Sequence, residues 1–395
     1  MRILTRYIVF DLLSVFLLTL TAMTAIVFVG LVGKQAVEHG VGLVPLLRMV
    51  PFLLPEAFQF TLPGTMLLAT TTVYGRISSS NEIVALKSLG ISPTVMIWPT
   101  LVVATLVSFS AVWVNDMAVS WGHNGVQRIF FDSLEEIIYG RLRTTRSFNS
   151  DVLDVTVRRV QDRRLLQPTI IYRYSNDDPP ITITADEAEL QADAAADKLV
   201  VRLINADGDS AGVLSMVLPG KTELSIPLSQ FFGNMNRSKS PSNYALHEIV
   251  TQKVEQAAAI ASLEQEMATE ASCSIMTGRM FEVAEESWSV KRQQVTNATV
   301  TLQRFYTEPH RRWANGFSCL CFVMIGAPMA IWRRHGEFWG SFFMCFAPIL
   351  LIYYPMLVGC LDMAKRGIFP APTVWLGNLV LAGIGYWLMR RIVRF

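Results

Sequence analysis

The chain is poor in the residues that do chemistry. It has five cysteines. Cys319, Cys321, Cys345 and Cys360 lie in apolar runs and Cys273 stands alone in polar sequence, which leaves neither a disulfide framework nor a thiolate metal cluster. Histidine is equally sparse: His39, His123, His247, His310 and His335 are scattered. His247-Glu248 opens as a helical zinc site would, but Thr251 stands where the second histidine is needed. Gly220-Lys221-Thr222 ends like a phosphate-binding loop, yet Ser215 replaces its first glycine and no helical pattern follows, so it reads as a strand-to-strand turn. No serine or cysteine has the context of a nucleophile elbow. Charge is scarce too, 17% of residues with a net charge of +2, which argues against nucleic acid as the main partner. No catalytic, metal-binding or cofactor-binding residues are therefore assigned, and the chain is not read as an enzyme.

What is abundant is apolar sequence, 51% of residues, and it is bunched rather than periodic. Six spans stand out: Ile8–Gly33, Ala57–Tyr74, Pro93–Val114, Trp313–Trp332, Phe338–Cys360 and Pro372–Met389. Each is long enough for a hydrocarbon core of about 30 Å at roughly 1.5 Å per helical residue. Three precede and three follow a polar block running from about Trp121 to Arg312. With the N-terminus in the cytoplasm, the inner segments hold Arg2, Arg6, Arg76, Lys87, Arg333, Arg334, Arg390, Arg391 and Arg394, against Lys34, Arg48, Lys365 and Arg366 outside. That bias puts both termini in the cytoplasm and the polar block outside. Trp98, Trp121, Trp313, Trp332, Trp339 and Trp387 lie near span ends, where indoles favour the headgroup layer. The first apolar run follows Arg2 and Arg6 but is too long for a signal-peptide core, so it reads as a retained anchor.

The polar block has two characters. From about Arg141 to Pro227 the period is two: Leu153, Val155 and Val157 alternate with polar residues, as do Ile181, Ile183 and Ala185, and then Leu199, Val201 and Leu203. Turn residues at 175–180, 207–210 and 219–221 separate the runs. Short antiparallel strands at this spacing suggest a β-sandwich or an open jelly roll. From Tyr244 to about Tyr306 the period turns helical, with one stripe from Leu246 to Met267 and another from Phe281 to Phe305 about Gly278. Two long amphipathic helices are predicted, as a hairpin or as one broken rod running down to the fourth span.

The link between the second and third spans is the most informative segment. Ser79-Ser-Asn-Glu82 fits a capping box, Gly90 a left-handed stop and Pro93 a terminator. A short helix at the membrane surface follows, with Ile83, Leu86 and Leu89 on one face. It is either an interfacial connector or a coupling helix that seats in a separate ATPase.

The opening Met1-Arg-Ile-Leu-Thr-Arg-Tyr-Ile8, the link Tyr74 to Ser92, the stretch Glu308-Pro-His-Arg-Arg-Trp313 and the three-plus-three layout together resemble the LptF/LptG (YjgP/YjgQ) permeases. These are the membrane subunits of the ABC-type exporter that extracts lipopolysaccharide from the bacterial inner membrane. Pro51-Phe-Leu-Leu-Pro-Glu-Ala57 looks more like the LptF side. Residues 244–306 depart from the family pattern, which reaches its fourth span with much less helix.

The resemblance implies an α-helical membrane protein with six transmembrane helices, an inserted periplasmic β-jelly roll and long amphipathic helices. Residues 1–121 would hold spans one to three with a coupling helix at 76–90, 122–243 the jelly roll, 244–310 the helical segment and 311–395 spans four to six. It implies as partners a cytoplasmic ATPase dimer, which uses the ATP, a paralogous permease, a periplasmic bridge protein and a lipopolysaccharide-type lipid. Glu82, with Ile83, Leu86 and Leu89, would couple to the ATPase. Lys34 and Arg48 would meet lipid phosphates, unless they only anchor the spans at the interface. Val155, Ile183 and Val201 would line an acyl-chain path, sparing each methylene about 0.8 kcal/mol of exposure to water. A mechanotransmitting ABC-type protein without a lipid cavity, and a non-transporting scaffold without an ATPase, remain open alternatives.

Overall fold

The computed structural model describes residues 2–39, 43–90, 92–132, 134–149, 153–161, 163–172, 181–193, 198–210, 214–227, 240–278, 286–332 and 338–394. The chain forms two compact units: Met1–Phe28, Leu54–Ser120 and Pro241–Phe395 make one, Val29–Leu53 and Trp121–Ser240 the other.

The first unit is helical. Its elements include α1 (Arg2–His39) and α2 (Leu43–Ser79), both of which run on into the second unit, the short α3 (Glu82–Ser88) and α4 (Thr94–Met117). After residue 240 come α7 (Leu246–Met276), α8 (Glu286–Trp332), α9 (Phe338–Pro348), α10 (Tyr354–Lys365) and α11 (Leu376–Arg394). A π-helical stretch, Ile349–Tyr353, joins α9 to α10. Among the described residues five segments are long and apolar enough to cross a membrane: Ile3–Val37, Thr94–Val126, Trp288–Trp332, Phe342–Lys365 and Ala371–Ile392.

The expected span Ala57–Tyr74 is helical but falls outside this set; it carries Gln59, Pro63 and five threonines. Those hydroxyls are nonetheless satisfied inside the helix. Thr61 donates to the Ala57 carbonyl at 3.1 Å, Thr65 to Thr61 at 2.9 Å, Thr70 to Met66 at 2.7 Å and Thr72 to Leu68 at 2.7 Å. A hydroxyl bonded back to its own helix adds little cost to burial. Leu62, Met66, Ala69 and Val73 of α2 accordingly sit in the main core, with Ile8, Leu12, Met96, Ile97, Val323 and Ala327.

The helical part of the polar block also differs in detail. The first predicted helix is α7, and the second is the N-terminal half of the 47-residue α8, which runs on unbroken into the fourth span. Pro309, a helix-breaking signal between the two halves, is accommodated within the helix. Lys291 pairs with Glu270 of α7, and the Gln256 amide donates to the Ala298 carbonyl at 3.2 Å. Phe281 and Ala284, from the expected second stripe, lie outside the described residues.

The second unit carries one curled antiparallel sheet of eight strands rather than two stacked sheets. The long strands β6 (Ile181–Asp193), β7 (Lys198–Ser210) and β8 (Leu214–Pro227) pair in order. On its other side β6 pairs with β5 (Thr169–Tyr172) through its first half and with β4 (Arg164–Leu166) further on. β1 (Ser147–Asn149) and β2 (Leu153–Thr156) extend the sheet beyond β5, and β3 (Arg159–Gln161) extends it beyond β4.

The alternation read from the sequence holds through most of the sheet, but Ile181, expected on the inner face, is 37% exposed. Val155, Val157, Ala185, Val201 and Leu203 are buried, whereas Thr156, Arg158, Thr184 and Arg202 are exposed. Two of the predicted turns are not turns. Asp207-Gly-Asp-Ser210 continues β7, and Pro219-Gly220-Lys221 lies inside β8. There the register slips between Ile204 and Ala206. Asn205 (φ 52°) and Gly220 (φ 93°) both take left-handed backbone, and the Gly220 amide donates to Asn205 Oδ1 at 3.2 Å. Residues suited to a turn have made a bulge, which adds local twist to a long strand pair. The segment 175–180 is outside the described residues.

Candidate functional site

The predicted link forms helix α3, but its start is built differently from the expectation. Ser79 belongs to the last turn of α2, and its hydroxyl donates back to the Arg76 carbonyl at 2.9 Å. The N-cap is Asn81 in a left-handed conformation, φ 58°, with no side-chain cap. The capping box at Ser79 is therefore absent, because α2 keeps the serine. Glu82 instead accepts a hydrogen bond from the Ser80 hydroxyl at 2.9 Å.

The apolar face also divides. Ile83 is 3% exposed and packs in the core of the helical unit, with Leu86 beside it, while Leu89 is 74% exposed. Leu89 is the C-cap, where the helical spiral ends and the side chain leaves the Ile83–Leu86 line. The outward surface of α3 therefore comprises Val84, Ala85, Ser88 and Leu89, with Glu82 half-buried at its start.

Three bonds tie this link to three other helices. Arg76 forms an ion pair with Asp11 of α1. The buried Ser78 hydroxyl donates to the Ile331 carbonyl at the end of α8 at 3.1 Å. Lys87 Nζ donates to the Ile392 carbonyl of α11 at 3.2 Å. Nearby, Tyr74 Oη donates to the Met96 carbonyl at 2.8 Å and shares a hydrogen with Thr100 at 2.6 Å, joining α2 to α4. The last turns of α2 and the short helix α3 are thus bonded to α1, α4, α8 and α11. Sequence reasoning marked the helix but missed these anchors. An aspartate inside an apolar run, Asp11, is the signal that could have flagged one of them.

Midway along α8, just before the apolar run that starts at Trp313, lies a buried charged network. Arg312 is fully buried. Its guanidinium donates to Asp116 of α4 at 2.8 Å and to the carbonyls of Ser242 and Tyr244 at 3.1 and 2.6 Å, with Glu308 at 3.4 Å. Asp116 also accepts the Leu246 amide, the first of α7, at 2.9 Å. Glu308, 1% exposed, takes a two-pronged contact from Arg311. The Glu308-Pro-His-Arg-Arg segment noted in the sequence thus acts as a junction of α4, α7 and α8.

In the other unit, Lys34 and Arg48 are both exposed, on α1 and α2. Val155 and Val201 are fully buried and Ile183 half-buried in one cluster of the sheet, which α6 (Leu134–Thr145) covers with Ile138, Tyr139 and Leu142. Among the described residues no group of histidine, cysteine and carboxylates is arranged to hold a metal ion.

Residues 6–391 match the family described as lipopolysaccharide export system permease LptF/LptG, nearly the whole chain. The chain belongs to this family. LptF/LptG proteins are inner-membrane permeases of the lipopolysaccharide export system, and the match does not separate the LptF side from the LptG side. No curated protein matches the chain. Membership accounts for the apolar helices.

Proposed function

We propose that the chain is one half of a lipid-extracting gate, with six spans, a periplasmic jelly roll formed around the curled sheet, and α3 as the input from a cytoplasmic ATPase dimer. The single observation that carries this reading is the set of bonds from α3 and its flanks to α1, α8 and α11. A connector that merely lay in lipid would have no need of ties to three separate helices. Glu82 and Leu89, with Val84, Ala85 and Ser88, meet the ATPase; Ile83 and Leu86 pass its movement inward through the core.

The second span, which brings the five apolar segments to six, is the threonine-rich part of α2, whose internally bonded hydroxyls make it compatible with lipid. A paralogous permease completes the cavity. Lys34 and Arg48 receive the phosphates of the lipid headgroup, and Val155, Ile183 and Val201 belong to the acyl-chain route toward a periplasmic bridge. ATP is hydrolysed by the separate subunit.

The test is co-purification of the exporter complex with mass spectrometry of bound lipid, for the parent and for Ala85→Arg and Leu89→Arg. Each variant puts a charge on the outward face of α3 without touching its core contacts. Loss of the ATPase from otherwise intact permease supports the reading. Full retention of the ATPase in both variants refutes the assignment of α3. An ATPase-bound complex that never holds lipid would mark a mechanotransmitting protein instead.

A further inference from the structure

The apolar side of the sheet that we assign to acyl chains is already filled. Val155, Ile170 and Val201 are 0% exposed and Leu203 is 2% exposed. They share one cluster with Ile138 and Leu142, also 0% exposed, and with Tyr139 of α6. Two aliphatic side chains and a ring thus occupy the place that lipid would take.

The attachment of α6 is of a kind that can be undone. It has 12 residues, too short to be stable by its own propensity, so its helicity depends on the face it packs against. One polar tie to the sheet runs through a hydroxyl. Tyr139 Oη donates to the Arg163 carbonyl at 2.6 Å and accepts the Leu190 amide at 2.9 Å. One residue, Arg146, separates α6 from β1, and it sits in the left-handed region at φ 57°. The last turn of α6 exposes Arg143, Thr144 and Thr145, and the helix as a whole has two glutamates and two arginines. A short helix with one apolar face can also lie along a membrane interface.

We propose that α6 is a built-in stand-in for substrate: it fills the acyl-chain face of the sheet at rest and turns out about Arg146 when lipid loads. This rests on the lipid-export reading above. Departure of Tyr139 leaves one donor, the Leu190 amide, and two acceptors, the Arg163 and Leu190 carbonyls, within the vacated apolar face. A hydroxyl, donor and acceptor at once, can satisfy such a group. The face therefore suits acyl chains that carry a hydroxyl better than plain hydrocarbon.

The experiment uses the assembled exporter in vesicles containing lipopolysaccharide, with a photoreactive side chain at Ile183, half-buried at the edge of the cluster, or in a second version at Val201. Lipid capture is read alongside amide hydrogen exchange over 134–145, with and without ATP. The expected result is capture that requires ATP, together with several-fold faster exchange in α6 but not in β6 or β7. Tyr139→Phe should raise both several-fold while leaving ATPase activity unchanged. Capture with α6 as protected as at rest overturns the proposal, as does a Tyr139→Phe complex that matches the parent in both readouts. If photoreactive residues placed in the spans capture lipid while Ile183 and Val201 never do, the proposal fails and the export reading stands. If no position captures lipid, the export reading itself fails and takes the proposal with it.

Discussion

Arg312 is the residue whose loss the fold should tolerate least. Replacing it with alanine removes a guanidinium that serves Asp116 and two backbone carbonyls at once. Breaking a buried ion pair from one side costs about 3–5 kcal/mol. Two features favour the lower end. Glu308 keeps Arg311, and the Asp116 side chain is 27% exposed, so water can reach the orphaned carboxylate. The carbonyls of Ser242 and Tyr244 each lose a donor, at about 1 kcal/mol apiece. Arg312→Ala should therefore cost about 5 kcal/mol. Arg312→Lys keeps the charge but cannot reach all the acceptors, and should cost about 1–2 kcal/mol. Asp116→Asn keeps an acceptor for the Leu246 amide and should cost about 1 kcal/mol.

Equilibrium unfolding of the purified chain in mild detergent gives that ranking, and hydrogen exchange at the Leu246 amide gives the local signature. The amide should exchange faster in Arg312→Ala, where Asp116 is no longer held in place. An alanine variant within about 0.5 kcal/mol of the parent would mean that the network is hydrated and contributes no more than a surface pair.

The parts legible in the sequence were those set by one local pattern. The sheet followed from period-two alternation, and the buried set Val155, Val201 and Leu203 is the one that alternation picked out. Turn chemistry was less reliable, because glycine and asparagine in left-handed backbone serve a bulge as well as a turn. Asn205 and Gly220 have the composition of a hairpin loop and sit in mid-strand. Hydropathy alone undervalued α2, since it scores a threonine hydroxyl as if it faced water, whereas Thr65 and Thr70 bond to their own helix. At α3 the sequence placed the helix but not its orientation. Ile83, Leu86 and Leu89 share a helical face only if the helix continues through Leu89, and it ends at Ser88. The ties of Ser78 to Ile331 and of Lys87 to Ile392 span more than 250 positions and leave no local trace. The same holds for Arg312 and Asp116, 196 residues apart, although a buried charge near each end of an apolar helix is itself a reason to look for its partner.

Glu82 carries no helix cap, so Glu82→Ala should leave α3 folded, and any transport defect should appear equally in Glu82→Gln; a defect in alanine alone would point to helix stability rather than a charged contact. Cys273 is exposed on α7 and should react with an impermeant maleimide in intact spheroplasts; labelling only after lysis would reverse the proposed orientation. The α4–α8 contact offers the sharpest packing test. A Cβ on Gly316 would stand 2.3 Å from Val112 Cγ2 and 3.0 Å from the Ser108 carbonyl oxygen, so the two helices meet there almost backbone to backbone. Gly316→Ala gains about 1 kcal/mol of helix propensity but forces overpacking of about 1–3 kcal/mol, and destabilisation should prevail. Adding Val112→Ala removes the nearest obstacle but leaves the Ser108 oxygen in place, so it should restore only part of the loss. If Gly316→Ala unfolds at the same denaturant concentration as the parent or higher, the helices are not in close contact at this point and propensity alone governs the site.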